Sequence, residues 1–391
     1  MRDVAIVGCG MTRFGRLEPS LLELMTISSL RALDDAGLDK VDAIYVANMG
    51  SITLNKQSLI ASALADSLGM VPVHAETIQN GTASGGSAIK NAVLAIASGL
   101  YDTILVTGGE KMRVTTDRVL TDFISTMSHF EAEYIHGITL PALAAMFARL
   151  YMRKFGVKQE HLAMVAIKNH ENALKNPYAH IQQKISLEGI LLRPESRLNN
   201  PIISSPLRLY DCCPTSDGAA SIILCSVEKA REFSDTPIMI SGFGQAIEVH
   251  AVHEREDPIV LKALKLASEQ AFKMAKVSPN DIDVAELHDA FTILEIAESE
   301  DAGFFKKGEG HKALEEGRTQ IGGDMPINPS GGLKARGHPV GATGVAQAIE
   351  IVWQLRGDAG KRQVEGAEIG FSCNFGGFGT NVLAFVYRRG D

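Results

Sequence analysis

The sequence predicts an α/β protein that is built from two related halves. Short runs rich in β-branched residues alternate with stretches of helical periodicity, which is the pattern of largely parallel sheets covered by helices. Three segments of the first half also resemble segments of the second half, in the same order. The pairs are 4–10 with 238–244, 42–46 with 283–287, and 81–86 with 337–344. A duplication within the chain accounts for all three pairs.

Each pair predicts one kind of element. The members of the first pair are strands that close with Gly-x-Gly. Those of the second pair follow a helical stretch and read as the next strand of each half. In the third pair a glycine-rich segment opens a helix, so that another backbone or a substrate can come close to the start of that helix.

Residues from about 113 to 210 lie outside the repeat. This region carries helical patterns such as 141–152 and polar segments such as 174–200, and is predicted to be an insertion. The first half is therefore predicted to span 1–235, including the insertion, and the second half 236–391. Insertions on scaffolds of this kind often cover the active site.

Composition narrows the classes of partner. The 391-residue chain has a formal net charge of -8, whereas nucleic acids and anionic membranes favour a surplus of Lys and Arg. The chain has no signal-peptide pattern at its start and no apolar run near the ~20 residues that span a bilayer, so a cytoplasmic protein is expected. Its five cysteines form no Cys-x-x-Cys pair, which predicts free thiols and no metal site. Adjacent Cys212 and Cys213 are interpreted as part of a packed loop near the active site.

Four segments are candidates for chemistry. They are the glycine-rich stretch 80–89, the strand-to-helix junction 286–291, the segment 328–344 with its five glycines, and the strand end 371–379. In the first, residue 82 is expected at the positive end of a buried helix, facing a reacting acyl group. Tight helix packing is the alternative explanation for that stretch. The second places His288 just beyond a strand, where ligands bind in open sheets. In the last, Cys373 stands at the turn, and a buried structural cysteine is the alternative.

Several motifs resemble those of thiolases, in the same order along nearly the whole chain. They are Ala-Ser-Gly-Gly at 83–86, Gly-Gly-Glu-Lys-Met at 108–112, Ser-Asp-Gly-Ala-Ala at 216–220, Gly-His-Pro-x-Gly-x-Thr-Gly at 337–344 and Cys-x-x-Gly-Gly-x-Gly at 373–379. The sequence His-Asp-Ala-Phe at 288–291 looks more like the sterol-carrier-type and archaeal thiolases. The resemblance implies a five-layer αβαβα thiolase fold of two βαβαβαββ halves with an inserted loop domain. It also implies a homodimer or larger assembly, and a possible partner subunit that combines a zinc ribbon with an OB-fold.

The resemblance also implies roles for particular residues. His338 would polarise or deprotonate the attacking thiol, Cys373 would carry a proton to and from the α-carbon, and His288 would help to hold the thioester enolate. Four further residues would contact the substrate or coenzyme A, namely Ser330, Gly331, Gly376 and Gly377. Coenzyme A and acyl-CoA would be substrates, and no cofactor is expected. A thiol of pKa about 8.5 and an imidazole of pKa about 6.5 suit proton exchange near neutral pH.

One position departs from the family. Thiolases carry the nucleophilic cysteine immediately before Ala-Ser-Gly, and this chain has Thr82 there. An alcohol is almost wholly un-ionised at neutral pH and is a poor nucleophile unless a strong base activates it. Three explanations remain open: direct attack by the coenzyme A thiol, with Cys373 and His338 as acid and base; Cys373 as the nucleophile; or a catalytically reduced subunit that binds acyl-CoA and stabilises a partner. The first two make the protein an acyl-CoA C-acyltransferase, and the third makes it a scaffold subunit.

Overall fold

The computed structural model describes residues 2–193 and 196–390. The first half begins with β1 (Val4–Met11), α1 (Leu21–Ala36), β2 (Ala43–Ala47), α2 (Ser51–Asn55), α3 (Ile60–Ser67), β3 (His74–Ile78), α4 (Ser84–Ala97) and β4 (Thr103–Glu110). Next come α5 (Asp117–Ser125), α6 (Leu140–Phe155), α7 (Gln159–Ala173), α8 (Ser196–Asn199), β5 (Ile202–Ser204) and β6 (Leu207–Arg208). The half closes with β7 (Gly218–Ser226) and α9 (Val227–Phe233).

The second half repeats the order of the first. Its elements are β8 (Ile238–Ile247), α10 (Lys262–Ala275), β9 (Val284–Glu286), α11 (Thr292–Asp301), α12 (Gly310–Glu315), a π-helical turn (Gly332–Arg336), α13 (Thr343–Arg356), β10 (Ile369–Gly376) and β11 (Asn381–Arg389). None of the described helices is both long and apolar enough to cross a membrane.

Along one mixed sheet, the equivalent strands of the second half follow in the reverse order of those of the first half. The order is β3-β2-β4-β7-β1 in the first half and β8-β11-β10-β9 in the second. The sheets of the two halves meet where β1 and β8 pair antiparallel through Ala5 with Met239 and Ile6 with Ile238. The two-half α/β architecture predicted from the repeat is confirmed, and the junction of the two sheets is an addition to it.

Five layers result from the way the helices cover these strands. Helix α1 packs on the outer face of β1, β4 and β7, and α10 packs on the outer face of β8 and β11. Helices α4 and α13 lie in the middle layer, because each of them contacts strands of both halves. The described elements thus have the five-layer αβαβα order.

The repeated Gly-x-Gly serves the same packing purpose in both halves. A β-carbon on Gly8 would lie 2.2 Å from the carbonyl oxygen of Ala32 in α1, and one on Gly242 would lie 2.2 Å from that of Ala271 in α10. No side chain fits at such distances, so the backbone of each outer helix lies directly on its strand. The glycines that revealed the repeat are therefore packing residues.

The second half lacks a full counterpart of β3. A single parallel bridge between Ala285 and Ile327 stands in its place. Pro326 and Pro329 flank this position and have no N–H to donate, and Asn328 has a left-handed backbone with φ of 56°. A hydrogen-bonded strand cannot continue through such a segment. The predicted βαβαβαββ pattern is thus complete in the first half and reduced at one strand in the second.

The region between β4 and β7 contains the segment predicted to be an insertion. It contributes α5 to α8 and the small β5–β6 sheet. Helix α7 packs against the π-helical turn of the second half, and α6 packs on α11. This region therefore lies across the ends of second-half elements, where it closes one side of a cavity.

Candidate active site

A cavity of about 200 Å³ lies between the two halves and the inserted region. Thr82, His288 and His338 line it, and Phe375, Gly377 and Phe378 contribute the strand-end wall. The inserted region supplies residues of α5 and α6 and the two adjacent cysteines, Cys212 and Cys213. Three of the four predicted catalytic residues are therefore brought together.

The fold explains why these side chains meet. Thr82 follows β3 and precedes α4, while His288 follows β9. His338 stands between the π-helical turn and α13, and Phe375 lies at the end of β10. Because β9 and β10 run parallel, their carboxyl ends lie at the same edge of the sheet, where open α/β sheets bind ligands.

The hydrogen-bond pattern assigns a tautomer to His338. Its Nδ1 atom lies 2.7 Å from Thr343 Oγ1, and the Thr343 hydroxyl donates its only proton to the Pro339 carbonyl at 3.0 Å. The threonine oxygen can therefore only accept from the imidazole, which places the proton on Nδ1. The lone pair on Nε2 is left to accept a proton from a ligand in the cavity.

His338 is also kept uncharged. Its side chain is 8% exposed, and burial, with the nearby Arg336 guanidinium, lowers the pKa of His338 to about 3. A buried imidazole beside a cation favours the neutral form. His338 thus offers an unprotonated Nε2 throughout the neutral pH range.

His288 has the opposite tautomer. Asn374 Nδ2 lies 3.3 Å from His288 Nδ1 and also donates to the Thr82 carbonyl at 3.2 Å. The orientation of the Asn374 amide is fixed, because its Oδ1 accepts from the Gly86 N–H at 3.0 Å. An amide nitrogen can only donate, so His288 Nδ1 must accept and Nε2 must carry the proton. Burial lowers the pKa of His288 well below its usual value, so the ring is neutral.

The two histidines therefore form a complementary pair. Their ring centroids are 5.1 Å apart and the rings are nearly perpendicular, at 86°. Phe375 stacks on His288 with a centroid distance of 5.3 Å and an interplanar angle of 7°, which holds that ring in place. One imidazole can accept a proton and the other can donate a hydrogen bond to a developing oxyanion.

Thr82 lines the cavity but is not activated. Its side chain is 4% exposed, and its hydroxyl donates to the backbone carbonyl of Phe375. A carbonyl oxygen is a poor base and does not remove a proton from an alcohol. The arrangement that activates a hydroxyl, in which a base accepts its proton, is missing at Thr82 in the described structure.

Cys373 does not line the cavity. Its side chain is fully buried, and its Sγ lies 3.7 Å from Glu298 Oε2. The same carboxylate oxygen accepts a hydrogen bond from the backbone N–H of His288 at 2.6 Å. Burial and the Glu298 carboxyl raise the pKa of the Cys373 thiol well above its usual value. Such a thiol is not poised to ionise. Cys373 thus lies behind the lining residues, beside the backbone of His288, and its predicted proton transfer stays a prediction.

The four predicted coenzyme A contacts separate into two groups. Gly377 lines the cavity, and Gly376 lies behind it, where a β-carbon would lie 2.9 Å from the Asn80 carbonyl oxygen. Ser330 and Gly331 do not line the cavity. Ser330 is fully buried, and its hydroxyl donates to Glu286 at 2.7 Å. Glu286 also forms an ion pair with Arg336. Gly331 lies against Ala173 of α7. The glycine-dense motif therefore builds a buried polar cluster behind the cavity.

Sequence reasoning missed three residues that shape the site. Thr343 and Asn374 fix the tautomers of the two histidines, and Glu298 binds the backbone of His288. Thr343 and Asn374 belong to motifs that the sequence singled out, yet nothing in the sequence says which neighbour each side chain meets. Among the described residues, 2–193 and 196–390, no three or more His, Cys, Asp or Glu side chains lie close enough together to hold a metal ion.

The chain matches known families and proteins over its whole length. The family described as Thiolase, N-terminal domain matches residues 4–228, and Thiolase C-terminal domain-like matches 244–389. An acetyl-CoA acetyltransferase of Methanothermobacter thermautotrophicus is 46% identical, covering 100% of both chains. Sterol carrier protein 2 of Homo sapiens is 32% identical over 100% of this chain and 72% of its own length. The solved Ltp2-ChsH2(DUF35) aldolase aligns with a TM-score of 0.83 at 26% identity, covering 99% of this chain and 97% of that chain.

Proposed function

The chain belongs to the thiolase family, and from that membership we propose that it is an acyl-CoA C-acyltransferase that transfers an acyl group directly between a carbon atom and coenzyme A. It would cleave a 3-oxoacyl-CoA with coenzyme A, or run the reverse Claisen condensation, without an acyl-enzyme. The relatives named acetyl-CoA acetyltransferase support the acyltransferase class. The observation that carries the proposal is the pair of neutral histidines with opposite tautomers.

One base and one donor suffice for thiolysis. His338 Nε2 takes the proton of the coenzyme A thiol while the sulfur bonds to the 3-oxo carbon and the C3–O π bond opens to an alkoxide. The alkoxide then re-forms the carbonyl at C3 as the bond between C2 and C3 breaks, and the electron pair of that bond passes to the acetyl-CoA enolate, whose oxygen accepts from His288 Nε2–H. The proton on His338 moves to C2. Two thioesters leave and both histidines are neutral again.

This route needs neither Thr82 nor Cys373 as a reacting group. Thr82 donates its proton to a carbonyl oxygen and needs no activation, because the nucleophile is the substrate thiol. Cys373 need not reach the α-carbon, because His338 returns the proton it removed. Cys373 as nucleophile or proton carrier stays an alternative prediction.

Aldol cleavage is a second candidate that the same pair favours. In that reaction His338 would take the proton of a 3-hydroxyl group, the C2–C3 bond would break, and the enolate would take the same proton at C2. An aldehyde or ketone and acetyl-CoA would result, with no nucleophile at all. Two observations support this candidate: no base activates the Thr82 hydroxyl, and the structure is similar to that of a solved aldolase.

One experiment separates the candidates. The protein is incubated with 3-oxooctanoyl-CoA, with and without coenzyme A, and separately with 3-hydroxyoctanoyl-CoA, and the products are identified by mass spectrometry. Hexanoyl-CoA and acetyl-CoA that form only when coenzyme A is present support direct thiolysis. Hexanal and acetyl-CoA from the hydroxy substrate support aldol cleavage. Tight acyl-CoA binding without turnover supports the scaffold subunit.

Assembly and location are also proposals. We propose a homodimer in which β3, the edge strand of the first half, pairs with its copy, since its side chains are largely exposed. A partner subunit with a zinc ribbon and an OB-fold is supported by likeness to the Ltp2-ChsH2(DUF35) assembly. Light scattering of the purified protein tests the first, and affinity purification from the native host tests the second. The cytoplasmic location and the absence of a cofactor stay predictions.

A further inference from the structure

One wall of the cavity is formed largely by apolar side chains. Leu120 and Ile124 of α5, Leu140 of α6, and Phe291 and Leu294 at the start of α11 contribute to it. The polar lining groups are hydroxyls, thiols and the two neutral imidazoles. Within the described chain, no Asp, Glu, Lys or Arg lines this cavity. A ligand group that enters it therefore exchanges water for hydrocarbon and meets no charge of either sign.

The volume exceeds what an acetyl group needs. A cavity of roughly 150 Å³ is large enough to hold a benzene ring, and this one measures about 200 Å³. The reacting thioester occupies part of that space, and the remainder is on the scale of a small ring or a chain of several carbons. A carboxylate placed there would lose its hydration without gaining a partner, which is costly.

We propose that the enzyme selects acyl-CoA substrates whose acyl group is uncharged, apolar and substantially larger than acetyl. The inference rests on the proposed function, because it treats this cavity as the acyl site. Helix α5 is the specificity-determining element, and Ile124 is the residue that limits the size of the acyl group. Burial of each added methylene in such a wall contributes about 0.8 kcal/mol, which is roughly fourfold in affinity.

Binding of unreactive saturated thioesters tests the inference without turnover. Calorimetry compares acetyl-CoA, hexanoyl-CoA and adipyl-CoA, the last two having six-carbon acyl groups that differ by a terminal carboxylate. Hexanoyl-CoA is expected to bind at least about tenfold more tightly than acetyl-CoA and at least about tenfold more tightly than adipyl-CoA. Equal affinities for acetyl-CoA and hexanoyl-CoA, or for hexanoyl-CoA and adipyl-CoA, would overturn the inference.

A matched pair of variants assigns the preference to this wall. Ile124→Phe fills the cavity and is expected to weaken hexanoyl-CoA at least about tenfold while leaving acetyl-CoA within about threefold. Val119→Phe is the control, because Val119 lies on the same helix, is 46% exposed and does not line the cavity. Equal effects of the two variants would contradict the assignment. A retained preference without turnover of any 3-oxoacyl-CoA or 3-hydroxyacyl-CoA would overturn the proposed function alone.

Discussion

His338 Nδ1 lies 2.7 Å from Thr343 Oγ1, and the Thr343 hydroxyl donates onward to the Pro339 carbonyl. The threonine is thereby restricted to accepting from the imidazole. Because Thr343 is the first residue of α13 and Pro339 lies one turn earlier, the helix start itself defines the tautomer of the proposed base. The motif that contains Thr343 and Pro339 thus holds the proton of His338 on Nδ1.

Loss of the Thr343 hydroxyl should disturb catalysis more than folding. Thr343→Val keeps the shape but leaves His338 Nδ1 without an acceptor, so that the two tautomers compete. We expect kcat to fall about tenfold or more with little change in KM. Thr343→Ser restores the hydroxyl and should recover most of the rate. A Thr343→Ser variant as slow as Thr343→Val would contradict the orienting role.

Removal of the His338 imidazole should cost on the order of 10²-fold or more in kcat if it is the general base. His338→Asn is compared with His253→Asn, which changes an exposed histidine.

The pH dependence of the free energy of unfolding provides a second measurement on His338→Asn. Between about pH 3 and the usual value near 6.5, folded His338 binds fewer protons than the unfolded chain, because its folded pKa is about 3.

The sign of that effect follows from the proton balance. As pH falls from 6.5 towards 4, His338 gains a proton in the unfolded state but stays neutral in the folded state, so the free energy of unfolding falls. Wild type should therefore lose stability relative to His338→Asn over this window, as measured by urea unfolding at several pH values. Parallel curves for the two proteins would mean that the pKa of His338 is not depressed.

The amide of Asn374 should be needed to hold His288 as a donor. Asn374→Leu removes the hydrogen bond to Nδ1, so that the proton is no longer confined to Nε2, and kcat is expected to fall about tenfold. NMR of ¹⁵N-labelled histidine reports the tautomer directly. Ser372→Ala is the control, because it removes a buried hydrogen bond of the same strand, to Tyr387. An unchanged His288 tautomer in Asn374→Leu would refute the assignment.

Sequence reasoning succeeded where glycine is the residue that fits. A β-carbon at Gly8 or Gly242 would clash with the helix that packs on it, so only glycine fits at both positions and the duplication can be recognised in the sequence. The sequence was less informative where a side chain could face either way. Cys373 and Asn374 are neighbours on one strand and point to opposite faces, so that Asn374 contacts the His288 ring while the Cys373 thiol contacts Glu298. The predicted contacts of Ser330 and Gly331 with coenzyme A stay predictions, because a glycine-dense motif suits a buried turn as well as a ligand site.

Thr82 should be dispensable in a direct transfer. Thr82→Ala removes only a hydrogen bond to the Phe375 carbonyl, and activity is expected to stay within about threefold. Wild-type protein quenched in acid after exposure to acyl-CoA should carry no acyl group by intact-protein mass spectrometry. Thr82→Cys should acquire a thioester adduct, because a thiol at the start of α4 is far easier to ionise than an alcohol. A loss of about 10²-fold in Thr82→Ala, or an adduct on wild-type Thr82, would establish covalent catalysis instead.

Cys373 distinguishes the direct route from the proton shuttle that the family resemblance implies. Its thiol is fully buried and lies 3.7 Å from Glu298 Oε2, so Cys373→Ala should lower the free energy of unfolding by about 1 kcal/mol. The rate should stay within about threefold, since His338 alone accepts and returns the proton. Cys373→Ser serves as the comparison, because its hydroxyl can still donate to Glu298 but is a much weaker acid than a thiol. If Cys373 carries the proton, both variants should lose about 10²-fold in kcat. If it only packs against Glu298, both should keep their rate and Cys373→Ala should be the less stable of the two.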